Sequence, residues 1–256
     1  MKTRALAVLA AIAALVAAVA AANAADLPVP VYKAPPPPPF SPWTGCYVAG
    51  GGGYGWWKQD SFLEVAGVPA TASTSNGGNG WFGQGQAGCD YQFTAPFFNL
   101  PVLIGAFGDY EAGAINGTQD FPGAVGSERE SATWSAGGRI GLLIAPRVLS
   151  YVDGGWTQAH FDQVSYNFAF PGGGATGLTL AAQTYNGWFV GGGFEYALDW
   201  LPFPGLFLKT EYRYSQYATA NVPITGAGLA GVTLNSQKAT EMISTELVWR
   251  FNWLAR

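Results

Sequence analysis

The 256-residue chain carries 12 basic against 16 acidic residues, a formal net charge of −4, and only 11% of its positions are charged. That acidic balance speaks against nucleic acid as a partner. So sparse a charge set, with 36 glycines and 15% aromatics, also makes a poor surface for a soluble secreted protein.

Residues 1–24 open with Lys2 and Arg4, continue as an apolar run and end in Ala22-Asn23-Ala24. These are the three regions of a secretory signal with an A-x-A cleavage site; a transmembrane anchor is the alternative. Removing the segment takes two basic residues and no acidic one, leaving a mature charge of about −6. Residues 25–42 follow as a lead-in toward the periplasm. Pro35 to Pro39 favour polyproline II and cannot donate to a sheet ladder.

The barrel-forming region is read as 43–256, and from Trp43 onward eight segments look like strands: 43–57, 81–93, 102–113, 130–144, 147–161, 184–198, 206–217 and 239–253. Each exceeds the roughly 9–11 tilted residues that span a bilayer core. Between them 58–80, 114–129, 162–183 and 218–238 are long and rich in Gly, Ser, Thr and Asn, whereas 94–101, 145–146 and 199–205 are short and contain proline. Alternating long and short connections describe an up-and-down meander with two different ends, as in outer-membrane barrels. Residues 58–80, 162–183 and 218–238 are expected to be the mobile, exposed part.

Period two assigns the faces. In GLFLKTEYRYSQY (205–217), Lys209, Glu211 and Arg213 alternate with Leu208, Thr210, Tyr212 and Tyr214. In 239–253, Glu246 and Arg250 oppose Leu247, Trp249 and Phe251. The same alternation places Asp90, Asp109, Glu111, Arg139, Asp153 and Glu195 on the polar face of their segments. A soluble sandwich would bury the aromatic face, but the interior of eight strands is just wide enough for packed side chains, and so many rings would crowd it. The expectation is therefore a closed eight-stranded antiparallel up-and-down transmembrane β-barrel. The charged set forms one lumenal network and the aromatics face lipid. Trp43, Tyr47, Tyr91, Trp200, Phe251 and Trp253 are candidates for one interfacial girdle; Trp56, Trp57, Trp81, Trp188 and Tyr217 are candidates for the other.

Cys46 lies just inside the first segment and Cys89 just before the end of the second. Antiparallel pairing brings them to about the same height, and an oxidising compartment then predicts a disulfide. No P-loop, G-x-S-x-G, H-E-x-x-H or C-x-x-C pattern is present, and no cofactor or metal site is expected. His160, the single histidine, sits two residues from Asp162 at a strand end. General-base geometry is one reading of that pair, and a solvent-facing loop boundary is the other.

Several stretches carry a resemblance: A-A-D-L-P after the signal, WTGCYVAGGGGYGW, GQAGCDYQF, ALDW with LFLKTEYRY, and the final VWRFNW. The chain resembles the small outer-membrane β-barrel proteins of alphaproteobacteria, the surface-antigen group called outer membrane immunogenic proteins. The resemblance implies outer-membrane location in a Gram-negative bacterium and a structural, surface-exposed role without catalytic residues. Implied partners are outer-membrane lipid and lipopolysaccharide, the barrel-assembly machinery, and host or envelope proteins at the loops. The chain departs in ending W-L-A-R rather than on an aromatic residue, so an assembly signal would be read from Phe251 or Trp253. A narrow porin-like channel is the alternative function; a lipid-modifying enzyme is the remote one.

Overall fold

A computed structural model describes residues 43–96, 100–226 and 229–251. The expected signal (1–24), the proline-rich lead-in (25–42) and the terminal Trp253 lie outside the described residues. The strands are β1 (Gly45–Val65), β2 (Val68–Pro69), β3 (Thr74–Ala95), β4 (Leu100–Phe121), β5 (Ala124–Ala145), β6 (Val148–Phe161), β7 (Val164–Phe168), β8 (Ala175–Leu180), β9 (Gln183–Ala197), β10 (Leu206–Tyr217), β11 (Ala220–Thr225) and β12 (Val232–Phe251).

They form one 12-stranded sheet in the order β2-β1-β3-β4-β5-β6-β9-β10-β12-β11-β8-β7, with further pairings β1–β12 and β5–β7. This sheet replaces the expected closed eight-stranded barrel. Two things raise the count. Strand structure stops at 162–163, 181–182 and 218–219, so that β7, β8 and β11 are separate from β6, β9 and β10; and the short β2 folds back on β1. Across these breaks β5 pairs first with β6 and then with β7, and β12 first with β10 and then with β11.

The expected long loops are corrected as well. β1 and β3 extend through most of 58–80, and β4 and β5 meet at a two-residue turn, Pro122-Gly123. Gly123 has φ +76°, the left-handed conformation that the second central residue of a type II turn requires, with proline favoured before it. Residues 162–183 hold β7 and β8, and 218–238 hold β11 and the start of β12. Main-chain ladders protect these stretches from proteolysis. Protease applied to intact cells should therefore spare 58–65, 74–80 and 114–121, with cuts confined to the turns; mapped cleavage inside those strands would contradict the pairing.

The two faces of the sheet differ sharply. Trp81, Trp134, Trp156 and Trp188 are exposed on the side away from the chain ends, and Tyr91, Trp200, Trp249 and Phe251 toward the chain ends. Between them the exposed side chains are mostly apolar, including Ile104, Ile140, Val152, Val190, Leu208 and Leu247, with the Thr210–Thr245 pair as an exception. The band runs from Trp81 to Tyr91 on β3 and from Trp134 to Ile144 on β5, close to the roughly 9–11 tilted residues of a bilayer crossing. β1, β3, β4 and β5 continue well past it on the side away from the chain ends.

Four expected girdle residues are instead buried on the inner face: Trp43, Tyr47, Trp57 and Tyr217. Nearness to a strand end suggested the girdle, but parity decides the side. Nor is the interior free of rings. Trp43, Tyr47, Phe107, Tyr151, Phe189 and Phe207 belong to one buried cluster, and Trp57, Phe82, Phe161, Tyr166, Tyr185 and Tyr217 to another farther along the strands. Inward glycines make the room: a Cβ at Gly53 would meet Phe82 Cζ at 2.7 Å, and one at Gly137 would meet Phe189 Cζ at 2.7 Å.

Candidate functional site

The whole predicted charge set, Asp90, Asp109, Glu111, Arg139, Asp153, Glu195, Lys209, Glu211, Arg213, Glu246 and Arg250, is buried on the inner face. It does not form one network. Ion pairs divide it into two layers, and a third layer lies beyond them.

The layer nearest the chain ends joins Arg139 of β5 and Arg250 of β12 to Asp90 of β3 and Glu195 of β9. Arg139 Nε donates to Asp90 Oδ1 at 2.9 Å, and its Nη1 reaches Glu195 Oε2 at 3.3 Å. Arg250 grips Glu195 with two bonds, 2.8 Å from Nε and 2.9 Å from Nη2, and reaches Asp90 at 2.5 Å. Two guanidiniums thus face two carboxylates, in the planar fork geometry that arginine offers. Tyr47 stands against both, its ring centroid 4.7 Å from Arg139 Cζ and 5.0 Å from Arg250 Cζ. Gly105 is part of this layer by its emptiness, since a Cβ there would lie 1.9 Å from Asp90 Oδ1.

The middle layer is built on β10. Lys209 lies 3.0 Å from Glu246, 3.3 Å from Glu211 and 2.8 Å from the Gln86 side-chain oxygen. Arg213 pairs with Glu211 at 2.8 Å, Asp109 at 2.9 Å and Glu111 at 3.4 Å. Tyr151 donates to Glu211 at 2.9 Å. Asp153 leans over Gly191, where a Cβ would meet its Oδ1 at 2.4 Å, and neither of its carboxylate oxygens has a hydrogen-bond partner among the described residues.

Glu246 and Arg250 were expected to share a network with Glu211, Arg213 and Arg139. They fall in different layers. Four residues of extended strand separate their Cα atoms by roughly 13 Å, and each side chain instead meets a group on another strand: Glu246 meets Lys209, and Arg250 meets Asp90 and Glu195.

The third layer was not foreseen. Lys238 of β12 is fully buried, 2.8 Å from Glu128 of β5 and bonded to Gln59 of β1, which itself bonds to Gln119 of β4 at 2.6 Å. The Lys238 ammonium lies 4.1 Å from the Phe161 ring centroid, 4.7 Å from that of Trp57 and 5.3 Å from that of Tyr185. Glu130 accepts from Thr133 at 2.8 Å. Sequence reasoning stopped β12 at 239, one residue short; extending its even-numbered inner parity would have found Lys238. Glu128 and Glu130 were hidden differently. Register shifts at Ser131 between Glu130 and Ala132, so inner residues are even before that bulge and odd after it, at Thr133, Ser135 and Arg139.

On the outer face Ser131 donates to Asp162 at 2.7 Å, His160 Nδ1 contacts Thr184 Oγ1 at 3.0 Å, and His160 Nε2 lies 3.9 Å from Asp162. The serine hydroxyl is thus given to the carboxylate rather than the imidazole, which is not the order of a nucleophile–base pair. Among the described residues no group of three or more His, Cys, Asp or Glu is placed to hold a metal ion.

Cys46 and Cys89 are direct cross-strand partners of β1 and β3 and are joined by a disulfide. Removing both thiols should cost no more than about 4 kcal/mol, the entropic value for a loop of this length, because the β1–β3 ladder already holds the two strands together. A Cys46→Ser/Cys89→Ser protein is expected to assemble and keep its heat-modifiable gel migration. Thiol labelling of the denatured, unreduced parent should find no reactive cysteine; two reactive thiols would contradict the bond.

The model of the family described as outer membrane protein beta-barrel domain matches residues 10–251. No protein of curated function matches the sequence. Among solved structures, the outer membrane protein OprG from Pseudomonas aeruginosa aligns at 10% identity and a TM-score of 0.44, covering 81% of this chain and 97% of that one. Neisserial surface protein A aligns at 14% identity and 0.36, covering 81% and 98%. Ail, the attachment invasion locus protein of Yersinia pestis, aligns at 14% and 0.31, covering 78% and 99%.

Proposed function

Given that the chain belongs to the outer membrane protein beta-barrel family and resides in the outer membrane of a Gram-negative bacterium, we propose that it is a structural, non-enzymatic component of that membrane. In this reading it contributes to envelope integrity and offers its outer end for surface interactions. The alphaproteobacterial surface-antigen group is the branch its motifs fit. Lipid and lipopolysaccharide surround its apolar band, and the barrel-assembly machinery inserts it.

One observation carries the reading: side chains bond across the interior and fill it. Lys209 on β10 reaches Gln86 on β3 at 2.8 Å, Arg213 on β10 reaches Asp109 on β4 at 2.9 Å, and Arg250 on β12 reaches Asp90 on β3. Rings pack directly against these charges, Phe107 and Phe189 with centroids 5.8 and 4.4 Å from Arg213 Cζ. A porin-like path would have to break these bonds and displace the rings. In planar bilayers the purified protein is expected to give no discrete conductance steps, while a deletion strain becomes more sensitive to detergent. Stable single-channel openings would overturn the structural reading in favour of the pore. His160→Ala is expected to leave envelope lipid composition unchanged; a change would favour the lipid-modifying alternative.

A further inference from the structure

The layer around Lys238 holds one cation for two carboxylates. Lys238 is engaged by Glu128 at 2.8 Å. Glu130, only 3% exposed, is left with a single bond, from the Thr133 hydroxyl to its Oε1 at 2.8 Å. Its Oε2 is buried without a hydrogen-bond partner among the described residues. This layer lies beyond the membrane band, which begins on β5 at Trp134. The backbone is irregular at the same place. Register shifts between Ala112 and Ile115 on β4 and between Glu130 and Ala132 on β5. Between these bulges is a cavity of about 10 Å³, room for about one water. Glu130, Glu111 and Thr133 line it from the inside, and the half-buried Gly113 and Ser131 line it at the wall. Ser131 continues to the outer face, where it bonds Asp162. The cavity thus lies between the buried carboxyl and the outer face of the sheet.

An ionised Glu130 has no counter-charge of its own. The charged and titratable groups facing it are Glu128 on its own strand, Glu111 of β4, Lys238 of β12 and Tyr217 of β10. Glu111 is held by Arg213 at 3.4 Å, and β3 and β6 present the rings of Phe82 and Phe161. Tyr166 of β7 and Tyr185 of β9 stand nearer Glu128; phenols are neutral near pH 7. A calcium ion would need six to eight oxygens, whereas no group of three or more His, Cys, Asp or Glu among the described residues could hold a metal. A proton needs no such cage. It cancels the excess charge and gives Oε2 a hydrogen to donate. Burial pushes the Glu130 carboxyl up to about 7, with Glu128 adding to the rise and the Thr133 bond and Lys238 opposing it. We propose that Glu130 is a proton switch: it takes up a proton as the medium passes from mildly alkaline to mildly acidic, and the neutralised layer then holds β4, β5 and β12 together more tightly beyond the membrane band. The folded value lies above the roughly 4.3 of an open chain. The stabilisation is therefore complete below that open-chain value, declines as pH rises and is lost above about 7, the reverse of ordinary acid denaturation.

The test uses the full chain in phosphatidylcholine nanodiscs, with hydrogen-exchange protection factors read at pH 6 and pH 8 for the amides of residues 125–132. In the parent they should be about tenfold higher at pH 6. Glu130→Gln should remove that change and keep at pH 8 the protection the parent has at pH 6. Histidine is the side chain that ordinarily changes charge in this range, and His160 lies opposite Ala132. His160→Gln is therefore the control and should leave the tenfold change intact. A pH effect that persists in Glu130→Gln, that vanishes in His160→Gln, or that runs in the opposite direction would overturn the proposal. So would failure of Glu130→Gln to assemble, since the amide has the shape of the neutral acid. Infrared difference spectra give a readout that packing alone would not move. Between pH 6 and pH 8 the parent should lose a protonated-carboxyl carbonyl band that is missing from Glu130→Gln, and identical difference spectra for the two proteins would also overturn the switch.

Discussion

Replacing Arg250 by alanine is expected to destabilise the folded protein by about 3–5 kcal/mol, the usual cost of stripping one partner from a buried ion pair. Arg250 supplies the two-bond grip on Glu195 and the second cation on Asp90. Without it, Arg139 alone must serve both carboxylates, with a single 3.3 Å contact to Glu195. Arg250→Ala combined with Glu195→Gln restores one guanidinium to one carboxylate. The pair should therefore cost less than the sum of its singles, by about 1 kcal/mol or more. Arg250→Ala and Glu246→Ala should instead add, because Glu246 meets Lys209 in the neighbouring layer. Reversible urea unfolding in lipid vesicles, followed by tryptophan fluorescence, measures all of these. Additivity of Arg250→Ala with Glu195→Gln would refute the layer as described.

The second large effect concerns Lys238→Met. Methionine keeps much of the volume among Trp57, Phe161 and Tyr185 but removes the ammonium that pairs with Glu128. Glu128 and Glu130 are themselves buried, and a carboxylate left without its cation there should cost about 3–5 kcal/mol. Lys238→Met with Glu128→Gln should recover most of that loss, since a neutral amide costs far less to bury than an unpaired carboxylate. The damage should fall on the extended outer half, read as new protease cuts between 114 and 130 while the span from Trp134 to Ile144 stays protected. A Lys238→Met protein as stable and as protease-resistant as the parent would show that the ring-lined pocket needs no cation.

Both experiments probe parts of the molecule that were unequally legible beforehand. The inner placement of Lys209, Glu211 and Arg213 could be read from 205–217 alone, because alternation is a local property of extended backbone. The shared height of Cys46 and Cys89 followed from chain direction. Lys238, Glu128 and Glu130 were lost to a strand ended too early and to the bulge at Ser131. The loops expected at 58–80 and 114–129 were read from Gly, Ser and Asn content, which here lies within paired strands of a sheet that runs past its membrane band.

What the sequence by itself determined is local: strands of period two, a charged set on one face and an apolar band bounded by aromatics. Only the tertiary structure decided which charges meet. Arg250 passes over Glu246 on its own strand to reach Asp90 and Glu195, because those carboxylates lie level with it on other strands whereas Glu246 is a step of roughly 13 Å away. Tertiary structure also turned Trp43, Tyr47, Trp57 and Tyr217 inward and broke the strands at 162–163, 181–182 and 218–219, giving twelve where eight were expected. Parity fixes a side chain's face relative to its near neighbours. Its partners, and where a ladder stops, depend on distances across the sheet, which no single strand contains.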